Sequence, residues 1–289
     1  MSNILESKPV GIRALVKNGV ERLFPTLGRE IRFRAIRTTP ISGLADQRTI
    51  EPELLLIKPL VGGATGACID VGAHVGEYCY ALARCVPPGQ VHAFEPNPET
   101  CHLLRRLFPE IHVWNVALSD VAGAARLSIP TVHGRSYPTR ATLEERDGDF
   151  GGDALIVPTR TLDEVASEIG RPIDFIKIDV EGHESKVLAG GRATMLRDRP
   201  SLLVELEQRH SSGPLQEKIR EIEGLGYAGF FLDVSLTKLR PIGEFDVDTM
   251  QREENLKSAR YVNNFFFFPV ANAPKAIGRL EEFLAGRRD

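Results

Sequence analysis

Apolar and polar positions along the first part of the chain follow helical and strand periods in turn. Residues 10–24 repeat apolar side chains at helical spacing and carry basic side chains elsewhere, which predicts an amphipathic helix. Residues 30–38 alternate as a strand with one solvated face does. Residues 51–61, with Pro52 in the first turn, predict another helix.

We expect residues 1–60 to form an N-terminal extension. The polar side of helix 10–24 is basic, as in helices that lie on a membrane surface. Packing on the extension's own domain, or on a second subunit of a homodimer, explains the same pattern and is favoured.

From residue 67 onwards, short apolar strands alternate with helices. The predicted strands are 67–71, 90–95, 111–118, 173–180 and 201–207, and the predicted helices include 75–85 and 98–107. This alternation is typical of a parallel sheet with helices on both faces. We therefore predict an α/β fold over residues 61–289, with a Rossmann-like, doubly wound and mostly parallel sheet.

The last part of the chain has a different pattern. Residues 226–233, 234–242 and 261–270 predict strands separated by tight turns, which favours an antiparallel C-terminal edge on the sheet. We expect the run FFFFP to be buried rather than exposed.

An insertion at 119–172 separates the third predicted strand from the fourth. Its centre, 131–153, is polar and rich in glycine, and connections this long commonly act as lids or binding loops. Disorder is the alternative interpretation.

Composition narrows the classes of function. Apolar residues make up 42% of the chain and charged residues 26%, so a sizeable core is expected. The net charge of −3 weighs against a nucleic-acid partner. The four cysteines show no metal-binding spacing, and no apolar run is long enough to span a bilayer or serve as a signal peptide. These features predict a soluble, cytoplasmic protein with reduced thiols.

A glycine-rich turn follows the first strand of the alternating series. The segment ACIDVGAHVGEY has Gly72, His74 and Gly76 where a dinucleotide fingerprint needs GxGxxG, so a side chain occupies the place of the pyrophosphate. Asp70 would repel phosphate and attract a cation. The turn therefore favours an adenosine ligand with a sulfonium or ammonium group, such as S-adenosylmethionine (SAM).

Glu95 closes the second strand, in the segment HAFEPNP. It follows Gly76 by 19 residues, the spacing at which an acidic side chain meets a ribose diol in this topology. Together with the glycine turn, it predicts SAM binding.

Four segments carry a resemblance to a known family. CIDVGAHVGEY, AFEPNPET, WNVALSD and above all IDFIKIDVEGHESKVLAGG resemble the FkbM-type family of SAM-dependent methyltransferases, over about residues 64–208. The family's members O-methylate hydroxyls of sugars and polyketide-like natural products. His74 stands where the family more often has Asn, and the first 60 residues match no pattern of the family.

The resemblance also implies roles for single residues. Asp70, Gly72 and Gly76, with His74 beside them, would hold the methionine part of SAM, and Glu95 the ribose. Pro96 and Asn97 would shape the adjacent turn. Segment 116–120 would approach the adenine, with Ser119 or Asp120 as the hydrogen-bond partner.

The stretch FIKIDVEGHES places five ionisable residues at the end of a buried strand. Lys177 lies inside the strand and needs a carboxylate partner there, for which Asp179 and Glu205 are the candidates. Asp179, Glu181 and His183 follow at the rim where ligands bind in such sheets. Acidic residues at a helix start also suit the helix dipole, which is the structural explanation for Glu181 and Glu184.

Methyl transfer to a hydroxyl requires alignment of the acceptor oxygen and removal of its proton. We rank Asp179 and Glu181 first as acceptor-binding or base residues and His183 second, with His74, His133 and His210 below them. A divalent metal such as Mg²⁺, held by Asp179, Glu181 and His183, is an alternative way to orient the hydroxyl.

The leading prediction is a SAM-dependent O-methyltransferase with a small-molecule or glycan acceptor: a sugar, glycolipid or related secondary metabolite. A nucleic-acid methyltransferase is one alternative, although the chain has DVEG where such enzymes resemble one another in an NPPY-like turn. A catalytically idle SAM-fold module for binding or assembly is the other.

Overall fold

The structure is a computed structural model. It describes residues 51–129, 131–132, 135–136, 141–144, 153–211, 213–256, 258 and 260–286. The predicted helix 10–24 and strand 30–38 lie outside the described residues.

The first half of the described chain contains the predicted strand and helix units. After a 3₁₀ turn at Pro52–Leu56, the elements are α1 (Ile57–Val61), β1 (Ala67–Val71), α2 (Glu77–Ala83), β2 (Val91–Phe94), α3 (Pro98–Leu107), β3 (His112–Trp114), β4 (Ala117–Leu118), β5 (Gly123–Ile129), β6 (Thr131–Val132), β7 (Arg135–Ser136), β8 (Asp153–Arg160) and α4 (Leu162–Ile169).

The second half completes the large sheet. Its elements are β9 (Ile173–Ile178), α5 (Glu184–Gly190), α6 (Arg192–Asp198), β10 (Ser201–Glu205), α7 (Leu215–Glu223), β11 (Tyr227–Asp233), β12 (Lys238–Pro241), α8 (Val247–Met250), β13 (Asn264–Pro269) and α9 (Ala273–Ala285).

Eight strands form the main sheet, in the order β12-β11-β13-β10-β9-β1-β2-β3. Strands β3, β2, β1, β9 and β10 are parallel, whereas β13, β11 and β12 are antiparallel to their neighbours. All five residues of β1 are buried, because both faces of this strand are covered. The predicted doubly wound, mostly parallel sheet with an antiparallel C-terminal edge is confirmed.

The order of strands reverses beside β1. The chain runs outward from β1 to β2 and β3 and then returns to place β9 on the other side of β1. Ligands in open α/β sheets bind at the carboxyl ends of the strands where such a reversal occurs. This position is therefore the first place to look for a site.

The prediction of a single strand at 111–118 is wrong. β3 pairs with β2 in the main sheet, whereas β4 pairs with β8 in a separate three-stranded sheet of order β4-β8-β5. Between them, the side chain of Asn115 donates to the backbone oxygens of Glu95 and Pro96, both at 2.9 Å. These bonds tie Asn115 to the loop after β2 and interrupt the strand.

The predicted insertion at 119–172 contains regular structure. Strands β5 and β8 pair over Gly123–Ile129 and Asp153–Arg160, and α4 follows with a capping box at Thr161. Of its centre, 131–153, the structure describes 131–132, 135–136, 141–144 and 153.

The C-terminal strands bury the aromatic run, as expected. Phe265, Phe266, Phe267 and Phe268 are fully buried within β13, which lies between β10 and β11. The predicted strand 234–242 is shorter in the structure, where a turn precedes Lys238–Pro241.

Two further predictions concern the cysteine thiols and membrane-spanning segments. All four cysteines are free thiols, at positions 68, 79, 85 and 101. Within the part of the chain that the structure describes, no helix combines the length and apolar character needed to cross a bilayer.

Candidate active site

A cavity of about 300 Å³ opens at the carboxyl ends of the central parallel strands. The predicted site residues that line it are Asp70, Gly72, His74, Glu95, Pro96, Lys177, Asp179, Glu181 and His183. Gly76, Asn97, Ser119 and Asp120 are not among the lining residues. Residues from β1, β2 and β9 thus meet in one space at the reversal of strand order.

The turn after β1 needs a glycine at position 72. Gly72 has a φ of +81°, and a Cβ added there would lie 1.8 Å from the backbone oxygen of Asp179. The amide of Gly72 donates to the backbone oxygen of Phe94 at 3.0 Å. The turn is therefore packed between the ends of β2 and β9.

Gly76 serves helix packing. It has a φ of +81° at the start of α2, and an added Cβ would lie 2.5 Å from the ring of Phe108 and 2.8 Å from Leu104. Close approach of α2 to α3 accounts for a glycine there.

Glu95 is a buried carboxylate held by two backbone amides. Oε2 accepts from the amide of His74 at 2.9 Å, and Oε1 accepts from the amide of Asn97 at 2.8 Å. Asn97 caps α3 with its own side chain, so its amide is fixed in place. Burial raises the pKa of Glu95 to about 7, although both amide bonds oppose the shift. Each oxygen keeps a lone pair with which to accept from a diol.

Asp70 lies at the other side of the glycine turn and is 2% exposed. The thiol of Cys79 donates to its Oδ2 at 3.1 Å. Burial raises the pKa of Asp70 to about 6, and Cys79 and Lys177 oppose that shift. A cation bound in the cavity would stabilise the ionised form.

The segment after β3 contributes an apolar wall. Val116, Ala117 and Leu118 line the cavity. Ser119 instead lies within hydrogen-bond distance of His183, and its hydroxyl donates to Asp120 at 2.9 Å.

His183 bridges two other side chains. Its Nε2 lies 2.9 Å from Oγ of Ser119, and its Nδ1 lies 2.6 Å from Oε1 of Glu144. The side chain is 4% exposed, and burial lowers the pKa of His183 while Glu144 opposes the shift. The spacing resembles a serine, histidine and carboxylate triad, but Ser119 does not line the cavity. Both ring nitrogens of His183 are engaged, which weighs against its role as a base.

Segment 141–144 contacts the same turn. The hydroxyl of Thr142 donates to the backbone oxygen of Glu181 at 2.9 Å, and the amide of Glu144 donates to Oγ1 of Thr142 at 3.1 Å. Ala141, Thr142 and Leu143 line the cavity. Part of the insertion thus forms one wall of the site.

Glu181 and the remaining histidines have distinct surroundings. Oε2 of Glu181 lies 2.9 Å from Nδ1 of His210. The backbone of Glu181 has a φ of +53°, in the left-handed region. His74 lines the cavity with a φ of +44°. His133 lies outside the described residues.

Lys177 is fully buried at the floor of the cavity, as its place in a parallel strand predicts. Its Nζ donates to Oδ1 of Asn264 at 2.7 Å and lies 3.7 Å from Oδ2 of Asp179. Burial alone lowers the pKa of Lys177, but nearby carboxylates, Asp179 first, more than compensate and raise it. The lysine is therefore charged, and Asp179 is its ion-pair partner.

Two more carboxylates join Asp179 in this part of the cavity. One carboxylate oxygen each of Glu51, Asp179 and Glu205 lie within 4.8 Å of one another. Glu51 accepts from the Tyr78 hydroxyl at 2.6 Å and from Nδ2 of Asn264 at 3.1 Å.

Sequence reasoning missed Glu51 and considered Glu205 only as a partner for Lys177. Glu51 reaches the cavity because the turn Pro52–Leu56 packs against α2, and no local pattern signals that contact. Asn264 offers one signal in the sequence, because it is the single polar residue of the otherwise apolar strand β13.

Comparison with known proteins gives consistent matches. A family model described as "Methyltransferase FkbM domain" matches residues 70–228. Over 182 residues the chain is 27% identical to the 2-O-methyltransferase NoeI of Sinorhizobium fredii, covering 55% of this chain and 68% of that protein. It is 27% identical over 160 residues to the methyltransferase sdnD of Sordaria araneosa, covering 42% of this chain and 59% of sdnD.

A solved structure is similar at lower identity. The methyltransferase FkbM of Methylobacillus flagellatus shares 16% identity, with a TM-score of 0.45, over 70% of this chain and 43% of that one. The chain thus spans less than half the length of that protein.

Proposed function

Because the chain belongs to the FkbM family of methyltransferases, we propose that it transfers a methyl group from SAM to a hydroxyl of a sugar, glycolipid or related secondary metabolite. The predicted enzyme class, a SAM-dependent methyltransferase, is confirmed by that membership. The hydroxyl acceptor is the proposed part, and NoeI, a 2-O-methyltransferase by name, supports it.

One observation carries the proposal. A single cavity is lined by Asp70 and Glu95 and also by Lys177 with Asp179. The first pair suits the cofactor, and the second suits an acceptor that loses a proton. Both sets of groups lie at the carboxyl ends of adjacent parallel strands, which is where ligands bind in open α/β sheets.

The residues present fit SAM. The Glu95 carboxylate can accept hydrogen bonds from both ribose hydroxyls, and the apolar wall at Val116–Leu118 suits a flat base. The buried Asp70 suits a positive group. When bound, SAM supplies an electrophilic methyl group on a sulfonium.

The chain's own residues orient the acceptor and take its proton. Asp179 lies at the cavity end of β9 and is held by Lys177 at 3.7 Å. The lysine itself is held by a 2.7 Å hydrogen bond to Asn264, which restricts where its charge can attract the Asp179 carboxylate. A base positioned in this way typically contributes about 10² to 10⁴ in rate.

A divalent metal fits the residues less well. Oε2 of Glu181 lies 2.9 Å from Nδ1 of His210, and His183 contacts Ser119 and Glu144, so the set Asp179, Glu181 and His183 is not convergent. Among the described residues, the convergent carboxylates are Glu51, Asp179 and Glu205, and the ammonium of Lys177 already lies beside them. No step of the proposed transfer requires a metal, and a chelator control tests that.

We extend the proposal to the rest of the chain. Residues 1–60 would form the extension that packs on the domain or mediates a homodimer, and 119–172 would bind the acceptor. The cavity contacts of Ala141, Thr142 and Leu143 support the second assignment. Four free cysteines suit a reducing compartment such as the cytoplasm.

Two measurements test the function. Calorimetry with SAM and S-adenosylhomocysteine (SAH) should show binding that Asp70→Ala and Glu95→Ala each weaken. Labelled SAM, offered with a panel of sugars and glycolipids with and without chelator, should label an acceptor in both conditions. Absence of SAM binding, or unchanged binding in both variants, would contradict the proposal.

A further inference from the structure

Asp179 and Glu205 lie side by side at the ends of neighbouring strands. Ile178 pairs with Val204 in the parallel ladder of β9 and β10, and the two acidic residues come directly after this pair. Both line the cavity, and one oxygen of each lies within 4.8 Å of the other and of Glu51.

The charges around these carboxylates do not balance. Lys177 is the single Lys or Arg among the described residues that line the cavity. The other donors are neutral: Asn263 donates to Oε1 of Glu205 at 2.8 Å, and Tyr78 and Asn264 donate to Glu51. Neutral donors stabilise a carboxylate but do not cancel its charge. Like charges this close favour retention of a proton by one member.

The proton affinities agree with this geometry. Burial raises the pKa of Glu205 well above its usual value, and the negative charge of Asp179 adds to the shift. Burial also raises the pKa of Glu51, against the effect of Lys177. Lys177 lies 3.7 Å from Asp179, so the cation faces that member of the pair and the geometry leaves the shared proton to Glu205.

On the basis of the proposed methyl transfer, we propose that Asp179 and Glu205 act as one carboxyl pair. The pair holds a single shared proton before the reaction and accepts the proton of the acceptor hydroxyl during it. Glu205 thereby becomes a catalytic residue together with Asp179, and neither Glu181 nor His183 takes the proton.

The transfer balances with this assignment. As the acceptor oxygen bonds to the methyl carbon, its O–H bond breaks and the proton passes to the Asp179 carboxylate. The carbon–sulfur bond breaks and its electron pair stays on sulfur, which becomes a neutral thioether. The pair then carries two protons and returns one to solvent.

A carboxyl titration tests the pair without an acceptor. The full chain, saturated with SAH, is labelled with [5-¹³C]glutamate or [4-¹³C]aspartate and titrated by NMR. We expect the resonance that Glu205→Gln removes to titrate well above the ordinary value for Glu. A Glu205 midpoint near the ordinary value of about 4.3 would overturn the proposal.

Kinetics supply a second measurement. With the panel glycoside that is labelled fastest, Glu205→Gln should lower kcat at least tenfold, because the variant cannot share a proton with Asp179. Glu168→Gln on α4, an exposed residue paired with Arg160, is the matched control and should leave kcat unchanged. An unchanged kcat in Glu205→Gln would overturn the assignment.

The two proposals fail in distinguishable ways. A protein that binds SAH but labels no member of the panel contradicts the hydroxyl acceptor, and the NMR titration still decides the carboxyl pair. Gln keeps the size of Glu and can still accept from Asn263, and SAH affinity reports whether the variant is folded.

Discussion

The backbone amide of His74 donates a 2.9 Å hydrogen bond to Oε2 of Glu95. This bond joins the turn after β1 to the end of β2 through the carboxylate that we propose binds the ribose. The geometry of the glycine turn and the protonation state of Glu95 therefore depend on each other.

Cofactor affinity should depend on the protonation of Glu95. Its pKa of about 7 is raised by burial, and ribose hydroxyls would donate to the ionised form. Binding then favours loss of the proton, so we expect SAH affinity to rise with pH up to about 7 and level off above it. Calorimetry in two buffers of different ionisation enthalpy should detect the released proton below pH 7.

Glu95→Gln provides the variant for that measurement. It should weaken SAH binding by about 1.5–3 kcal/mol, the range for a hydrogen bond to a charged group. The rise of affinity with pH around 7 should also become smaller, so that only the contribution of Asp70, with its pKa of about 6, remains. A variant that keeps the same dependence would show that another group titrates.

Gly72→Ala should destabilise the protein by more than the cost of its positive φ alone. Gly63 has a similar φ of +91°, and a Cβ added there would have no atom within 4 Å. Gly63→Ala therefore measures the free-energy cost of the positive φ alone. We expect Gly63→Ala to cost about 1 kcal/mol. Gly72→Ala should cost more than about 3 kcal/mol, because the Asp179 carbonyl lies in the way.

Urea unfolding of the two glycine variants checks this difference. Equal losses of unfolding free energy would mean that the turn and Asp179 move apart easily.

Lys177→Met should leave the carboxylates at the cavity floor without their cation. Removing one partner from a buried ion pair typically costs about 3–5 kcal/mol. The loss should be larger at pH 8 than at pH 5, because Asp70, whose pKa burial raises to about 6, is ionised at the higher pH and loses the opposing charge of Lys177. Lys275→Met, at an exposed position on α9, is the control and should change the unfolding free energy by less than about 0.5 kcal/mol.

His183→Gln should loosen segment 141–144 while cofactor binding is unchanged. The variant loses the 2.6 Å contact with Glu144, and we expect faster hydrogen exchange at the amide of Thr142, which bonds to Ser128 at 3.0 Å. SAH affinity should stay within about threefold of wild type, a change below about 0.7 kcal/mol. His102→Gln on the exposed side of α3 is the control, and equal exchange rates in both variants would contradict a positioning role.

Local patterns predicted the elements that stand close together in sequence. Ala67–Val71 and Pro98–Leu107 have the predicted bounds, because an apolar run and a capped, amphipathic segment each define their own limits. The glycine turn and Glu95 belong to one strand-helix-strand unit, so their spacing predicted that they share a cavity.

Contacts between distant segments could not be predicted from local sequence patterns. The split of 111–118 into two strands follows from bonds between Asn115 and the loop after β2. The engagement of His183 depends on Glu144, which lies 39 positions away in an insertion with no periodic pattern. Glu51 reaches the cavity through the packing of its neighbours on another helix.

Asn264 links Lys177 and Glu51, with bonds of 2.7 and 3.1 Å, although the chain reaches it 87 residues after Lys177 and 213 after Glu51. The parallel strands all precede β13 in the chain, so they can pair before β13 docks. Until β13 docks, Lys177 lacks its hydrogen bond to Asn264. The order of folding can therefore separate assembly of the parallel sheet from completion of the reactive centre.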